Sequence, residues 1–176
     1  MRCVFQDALM PTAILFQLHL ALGYLAWFLC FRTYVWPRLI AMSRFDAHRA
    51  IATLHSFRFF GLVFILPGVV GNSLPEGFAT FAAYGDLAAG LLALMALLSV
   101  RVRLLFWAFV AAFNTIGMVD LMMDYYHAIR LGLPEVAGQL GAAYWIPILY
   151  VPVLVMTHFT AFYLLLSRKP KMVMAA

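Results

Sequence analysis

Residues 84–123 read YGDLAAGLLALMALLSVRVRLLFWAFVAAFNTIGMVDLMM, two apolar runs joined by Arg101-Val102-Arg103. Each run approaches the roughly 20 residues an α-helix needs to cross the hydrocarbon core of a bilayer. So short a joint allows only an antiparallel helix hairpin, with its basic turn at one membrane surface. Runs at about 11–31, 50–70 and 145–166 join those at 84–100 and 104–123. The expected fold is all-α: one domain, an integral membrane bundle of about five transmembrane helices.

Composition points the same way. Of the 176 residues, 66% are apolar and 11% charged, whereas a soluble domain carries about a quarter charged residues. Lipid is then the main solvent. The net charge of +5 does not call for nucleic acid, because the basic residues stand between and after apolar runs, where they set topology. The 32–49 connection holds Arg32, Arg38, Arg44 and Arg49 against Asp46, and the tail holds Arg168, Lys169 and Lys171. The connections 71–83 and 124–144 hold Glu76 in one and Asp124, Arg130 and Glu135 in the other. Positive loops stay in the cytoplasm, which puts the N-terminus outside and the C-terminus inside.

Local signals refine this outline. Ser43 and Asp46 have capping-box spacing, with Ser43 accepting from a backbone N–H and Asp46 reaching back. Residues 74–81 read as plain loop. Pro152 should kink the fifth helix. The first run lacks a basic n-region and a cleavage site, so it reads as retained. Cys3 and Cys30 are separated by a helix and have no metal-site spacing, so a disulfide is not expected.

Ionisable groups inside a membrane are costly and are site candidates by default. Asn114, Gly117, Asp120, Asp124 and His127 recur at spacings of three, three, four and three, along one helix face. Asp86, Ala89, Gly90, Ala93 and Ala96 form a small-residue face that admits a close neighbour. Measured from Val102 at about 1.5 Å per residue, Asp86 and Asp120 are nearly level. Two carboxylates sharing a poorly solvated place must share a proton or a cation. A second, inner cluster comprises His55, Arg58 and His158, flanked by Thr157 and Thr160, and suits an anionic or quinone-like headgroup. By Cα depth, Arg58 reaches Asn114, while a direct bond to Asp86 looks too long. His19 and His48 read as singly satisfied histidines.

These residues admit several chemistries. Asp120, Asp124 and His127, with Asp86, have ligand types that suit a hard or borderline cation. His55 and His158 form the intramembrane pair that haem would need. Retinal is excluded, because Lys169 and Lys171 in the tail are the only lysines. No phosphate loop, zinc motif or nucleophile elbow is present. Three functions fit. The first is a binding or translocation module for a proton, a cation or a small amphipathic ligand. The second is a redox or metal- or haem-binding membrane enzyme, and the third a structural accessory subunit. The small size suggests a homo-oligomer or a subunit of a larger membrane complex.

The string Phe57-Arg58-Phe59-Phe60-Gly61-Leu62-Val63-Phe64, then Leu74-Pro75, Phe78-Ala79, Gly85-Asp86, Phe113-Asn114, Gly117, Asp120, Val151-Pro152 and His158, resembles a pattern in uncharacterised small multi-pass inner-membrane proteins of bacteria. The resemblance covers most of the chain beyond residue 50. It implies placement in the bacterial inner membrane and supports the choice of polar residues, but implies no activity. The second helix is also similar to the opening of DoxX-type proteins, with an arginine, a glycine and a phenylalanine on one helix. The fifth span and the Asn/Asp stripe depart from that pattern.

Overall fold

The computed structural model describes residues 10–167 and is all-α, with six α-helices and no β-strand among the described residues. Cys3, Arg168, Lys169 and Lys171 lie outside them. Four helical stretches are long and apolar enough to cross a membrane: Thr12–Ala41, Glu76–Leu98, Arg103–Arg130 and Ile146–Leu166.

The first stretch comprises α1 (Thr12–Cys30), a π turn (Phe31–Val35) and α2 (Trp36–Ala41), so it runs ten residues past the expected end. The last has the same construction, with a π turn (Ile146–Tyr150) before the helix Val151–Leu166. Both π turns stand just ahead of a proline, Pro37 and Pro152. Proline lacks the N–H that the carbonyl four residues back requires, and its ring crowds that carbonyl. A widened turn absorbs the mismatch, and the distortion expected at Pro152 takes this form. The Ile148 carbonyl, which Pro152 leaves without its helical donor, packs against Gly23 of α1, where any Cβ would collide with it.

The span expected at 50–70 is built differently. Helix α3 (Arg44–His55) starts at Ser43, whose Oγ accepts from the Asp46 N–H at 3.1 Å. Asp46 reaches back to the Ser43 hydroxyl at 2.6 Å, not to the backbone N–H that a capping box uses. From Ser56 to Ile65 the chain winds as a 3₁₀-helix. Arg58, Gly61 and Phe64 are buried there, the every-third-residue stripe of a three-residue turn. The helix stops at Leu66, which is extended (ψ 114°) ahead of Pro67, as pre-proline sterics demand.

The expected loop at 74–81 is helical from Glu76 onward. Helix α4 (Glu76–Leu98) begins behind Pro75, with Glu76 in its first turn, where a carboxylate complements the helix dipole. The hairpin around Arg101 forms as expected. Helix α5 (Arg103–Arg130) runs seven residues past its expected end, to a left-handed Gly132 at φ 68°, a conformation glycine adopts at little cost. Two linked 3₁₀ segments within Leu133–Tyr144 lead back to the final helix, α6 (Val151–Leu166).

Large apolar side chains face outward on the long helices, among them Leu29, Leu98, Leu104, Met122 and Leu166. Inside, two apolar clusters occupy opposite ends. One gathers Phe16, Phe64, Phe78, Leu133 and Ile148, the other Phe31, Ile51, Phe106, Phe113 and Leu164. Between them lies a polar layer that holds the candidate site.

Candidate functional site

Arg58 is the centre of this layer and is 0% exposed. Its Nε donates to Asp86 Oδ1 at 2.7 Å, and its Nη2 pairs with Asp120 Oδ2. Its Nη1 donates to the Gly117 carbonyl at 3.1 Å and lies 3.4 Å from His158 Nε2. The fork of the guanidinium is therefore shared among three helices. A buried arginine survives only when such partners offset its desolvation.

Three glycines make the space. A Cβ at Gly61 would collide with Asp86, one at Gly85 with Asp120, and one at Gly117 with Arg58 and His158. Each polar side chain thus lies directly on backbone, which is how small residues let helices close on a polar core.

The network continues inward. His158 Nδ1 lies 3.0 Å from Asn114 Oδ1, and Asn114 Nδ2 donates to the Val110 carbonyl at 2.8 Å. His158 and His55 have ring centroids 4.1 Å apart, and His55 Nε2 lies 2.9 Å from Thr157 Oγ1. The six residues expected in two clusters, Asp86, Asn114, Asp120, Arg58, His55 and His158, therefore form one continuous layer.

Two expectations are corrected by this geometry. The Arg58–Asp86 bond is direct, although Cα depth made it look too long. Arg58 packs beside Gly90, one helical turn from Asp86, and an extended arginine spans the ~5.4 Å of a turn. Arg58 also does not bond Asn114 within this network; His158 stands between them. With its N–H groups committed to protein partners, Arg58 has little left for an anionic headgroup.

The metal candidates Asp120, Asp124 and His127 share the face of α5, but no group of three His, Cys, Asp or Glu side chains among the described residues is placed to hold a metal ion. His55 and His158 pack ring against ring. Two metal–nitrogen bonds of about 2 Å each would need an ion between rings that already touch. His127 instead packs its ring edge-on to Phe81 at 4.6 Å. His19 bonds the Tyr144 hydroxyl at 2.8 Å, and His48 lies between the carbonyls of Arg44 (2.7 Å) and Ala161 (3.3 Å).

Beside the layer lies a cavity of about 200 Å³ whose walls include Phe16, Phe64, Phe78, Leu121 and Leu133. Asp86 and Asp124 open into it, with Gln17 and Tyr125 at its border. Asp124 Oδ1 and Asp120 Oδ1 are buried without a hydrogen-bond partner. Neither the cavity nor the close packing of polar side chains on Gly61 and Gly85 follows from the sequence pattern. Gly61 three residues after Arg58 and Gly85 beside Asp86 were the available signals.

The fold and this layer define a class: an all-helical chain with four membrane-length helices closed around a buried arginine–carboxylate network. The chain belongs to a family described as domain of unknown function DUF8737, whose model matches residues 15–166. No curated protein and no solved structure matches it.

Proposed function

We propose that this chain is a five-pass protein of the bacterial inner membrane. The cavity binds a small amphipathic molecule, with its cationic or hydrogen-donating head against Asp86 and Asp124. The carboxylates exchange a proton with it. The observation that carries the reading is that Asp86 and Asp124 both line one apolar cavity, with Asp124 Oδ1 unpartnered.

Charge balance supports it. Arg58 supplies one positive charge against three carboxyl groups, and a low-dielectric layer does not hold the excess negative charge. Two protons, or one proton and a ligand cation, make up the difference. The apolar walls suit a hydrocarbon body, and the carboxylates fix its orientation, as in small-molecule sites generally.

Residues 50–65 supply the fifth span. Six α-helical and ten 3₁₀ residues rise about 29 Å, close to the ~30 Å hydrocarbon core. The N-out, C-in orientation draws support from the clustering of the basic segments. The Arg103 guanidinium lies over the Phe45 ring at 4.2 Å, and α6 ends beside α2 through Trp36 and Tyr163, 5.3 Å apart. The acidic connections meet at the opposite end, where the Gly71 N–H donates to the Gln139 carbonyl at 2.7 Å. Assembly as a homo-oligomer, or as a subunit of a larger membrane complex, is part of the same proposal.

Diisopropylcarbodiimide, a small apolar reagent selective for protonated carboxyls, tests the site. It should modify Asp124 or Asp86, located by peptide mass mapping, and n-octylammonium should slow the reaction. Asp124→Asn and Asp86→Asn should each remove their own adduct. Absence of any intramembrane adduct, or indifference to n-octylammonium, would overturn the proposal.

A further inference from the structure

The cavity has a neighbour. A second, outward-facing groove of about 440 Å³ is lined by residues that include Tyr24, Met122 and Phe159, of which Met122 and Phe159 are well exposed. The two spaces share Leu121 and Tyr125. Between them stands one hydrogen bond, Tyr24 Oη to Tyr125 Oη at 2.5 Å, which joins α1 to α5.

The seam around that bond is weakly built. Only Phe16 and Gly23 of α1 are buried. Helix α1 leans on the 133–144 segment, on the π turn at Ile146–Tyr150 and on α6, while its backbone makes few close approaches to α5. Gly23 against the Ile148 carbonyl and His19 against Tyr144 both anchor it on that other side. Two hydroxyls therefore bridge what packing does not, and they separate the inner cavity from a groove on the membrane-facing surface. Parting them would expose the cavity to acyl chains, while the side of α1 held by Gly23 stayed docked.

We propose that the ligand of the cavity is a lipid-dissolved single-chain amphiphile that enters sideways from the bilayer, between α1 and α5, when the Tyr24–Tyr125 bond opens. This rests on the reading of the cavity as a binding site given above. A water-borne ligand would need a polar mouth. Here the wall nearest the surface groove is Leu121 and a tyrosine pair. The chemistry selected is one hydrocarbon chain or ring of modest size, with a head that donates hydrogen bonds to a carboxylate.

Ala82 is buried and lines the cavity, so a thiol there reports access. In liposomes, Ala82→Cys on a Cys3→Ser, Cys30→Ser background would be treated with N-cyclohexylmaleimide, which partitions into lipid. A parallel sample would receive a trimethylammonium methanethiosulfonate on both sides of the membrane, each rate normalised to that with a free thiol. The expected result is labelling by the lipid-soluble reagent, several-fold faster once Tyr125→Phe or Tyr24→Phe removes the bond. The charged reagent should stay slow throughout. Equal labelling by the charged reagent, or no acceleration in either tyrosine variant, would overturn the proposal. The two phenylalanine variants keep the ring packing, so one remains informative if the other folds poorly. Neither readout involves Asp86 or Asp124. Loss of carbodiimide protection with lateral access intact would sink the binding reading alone, and water access with protection intact would sink only the portal.

Discussion

Gly117 and Arg58 meet at two points: the Gly117 carbonyl accepts from Nη1 at 3.1 Å, and a Cβ on Gly117 would fall 2.6 Å from that same nitrogen. The second contact predicts that Gly117→Ala is severe. The added methyl would also lie 2.8 Å from His158 Nε2, so two fully buried side chains would have to move together. Overpacking of a core costs about 1–3 kcal/mol, and the loss of buried ionic bonds adds to that. Gly117→Ala should lower the unfolding midpoint by far more than Gly138→Ala, where a Cβ meets nothing within 4 Å. Thermal unfolding of both variants in detergent checks the contrast.

Arg58 divides its guanidinium among Asp86, Asp120, the Gly117 carbonyl and His158. A lysine cannot reproduce that planar fork. Arg58→Lys should therefore be clearly destabilising despite keeping the charge. Arg58→Ala should cost more, on the order of 3–5 kcal/mol, because it strands buried carboxylates. Adding Asp120→Asn to Arg58→Ala should recover part of the loss. A double-mutant cycle on denaturant midpoints measures that coupling, and strict additivity would contradict the network.

The histidine tautomers follow from their partners. Asn114 donates to the Val110 carbonyl through Nδ2, so its Oδ1 faces His158 and that ring must donate from Nδ1. His158 Nε2 is then a bare acceptor facing Arg58. Thr157 spends its hydroxyl proton on the Val153 or Leu154 carbonyl, so His55 donates from Nε2. Its Nδ1 is left bare and unpartnered. Solid-state ¹⁵N NMR should give opposite protonated nitrogens in the two rings. Asn114→Leu should broaden or shift the His158 pair and leave the His55 pair nearly unchanged.

Much of this layer was legible because charge in an apolar run has so few explanations. Asp86, Asp120, Arg58 and His158 stand out against their surroundings whatever the helix geometry, and spacing by three put Asn114, Gly117 and Asp120 on one face. What failed was register. The 3₁₀ winding of residues 56–65 has no local signature, because it arises where Gly61 and Gly90 let the segment press onto α4. Depth measured between Cα atoms also ignored the reach of arginine, so one network was divided into two clusters. The end of α5 was misplaced for a similar reason. Asp124 and His127 look like an aqueous boundary in sequence, yet the helix continues to Arg130 and Asp124 lies in the cavity wall. The Tyr24–Tyr125 bond joins residues 101 apart, and no pattern within either helix announces it.

His48 supplies a pH-dependent prediction from outside the spans. Its ring is fully buried, edge-on to Trp107 at 5.1 Å and held between the Arg44 and Ala161 carbonyls. Burial, the largest influence, pushes its imidazole below the ordinary histidine range, and the charge of Arg44 adds to this. The two carbonyls oppose the shift without cancelling it. In the unfolded chain the ring takes up its proton near the usual ~6.5, whereas the folded protein resists it. The unfolded state then binds more protons once the pH drops below that value, so folding stability rises with pH through this range and is lost as pH falls. His48→Gln removes the titration while leaving a side chain able to bond one carbonyl. The fall in the thermal midpoint between pH 7 and pH 5 should be smaller in this variant than in the wild type, by a few degrees. Parallel pH profiles would instead mean that the folded ring titrates like the unfolded one. In that case its hydrogen bonds to the two carbonyls would fully offset the burial of its charge.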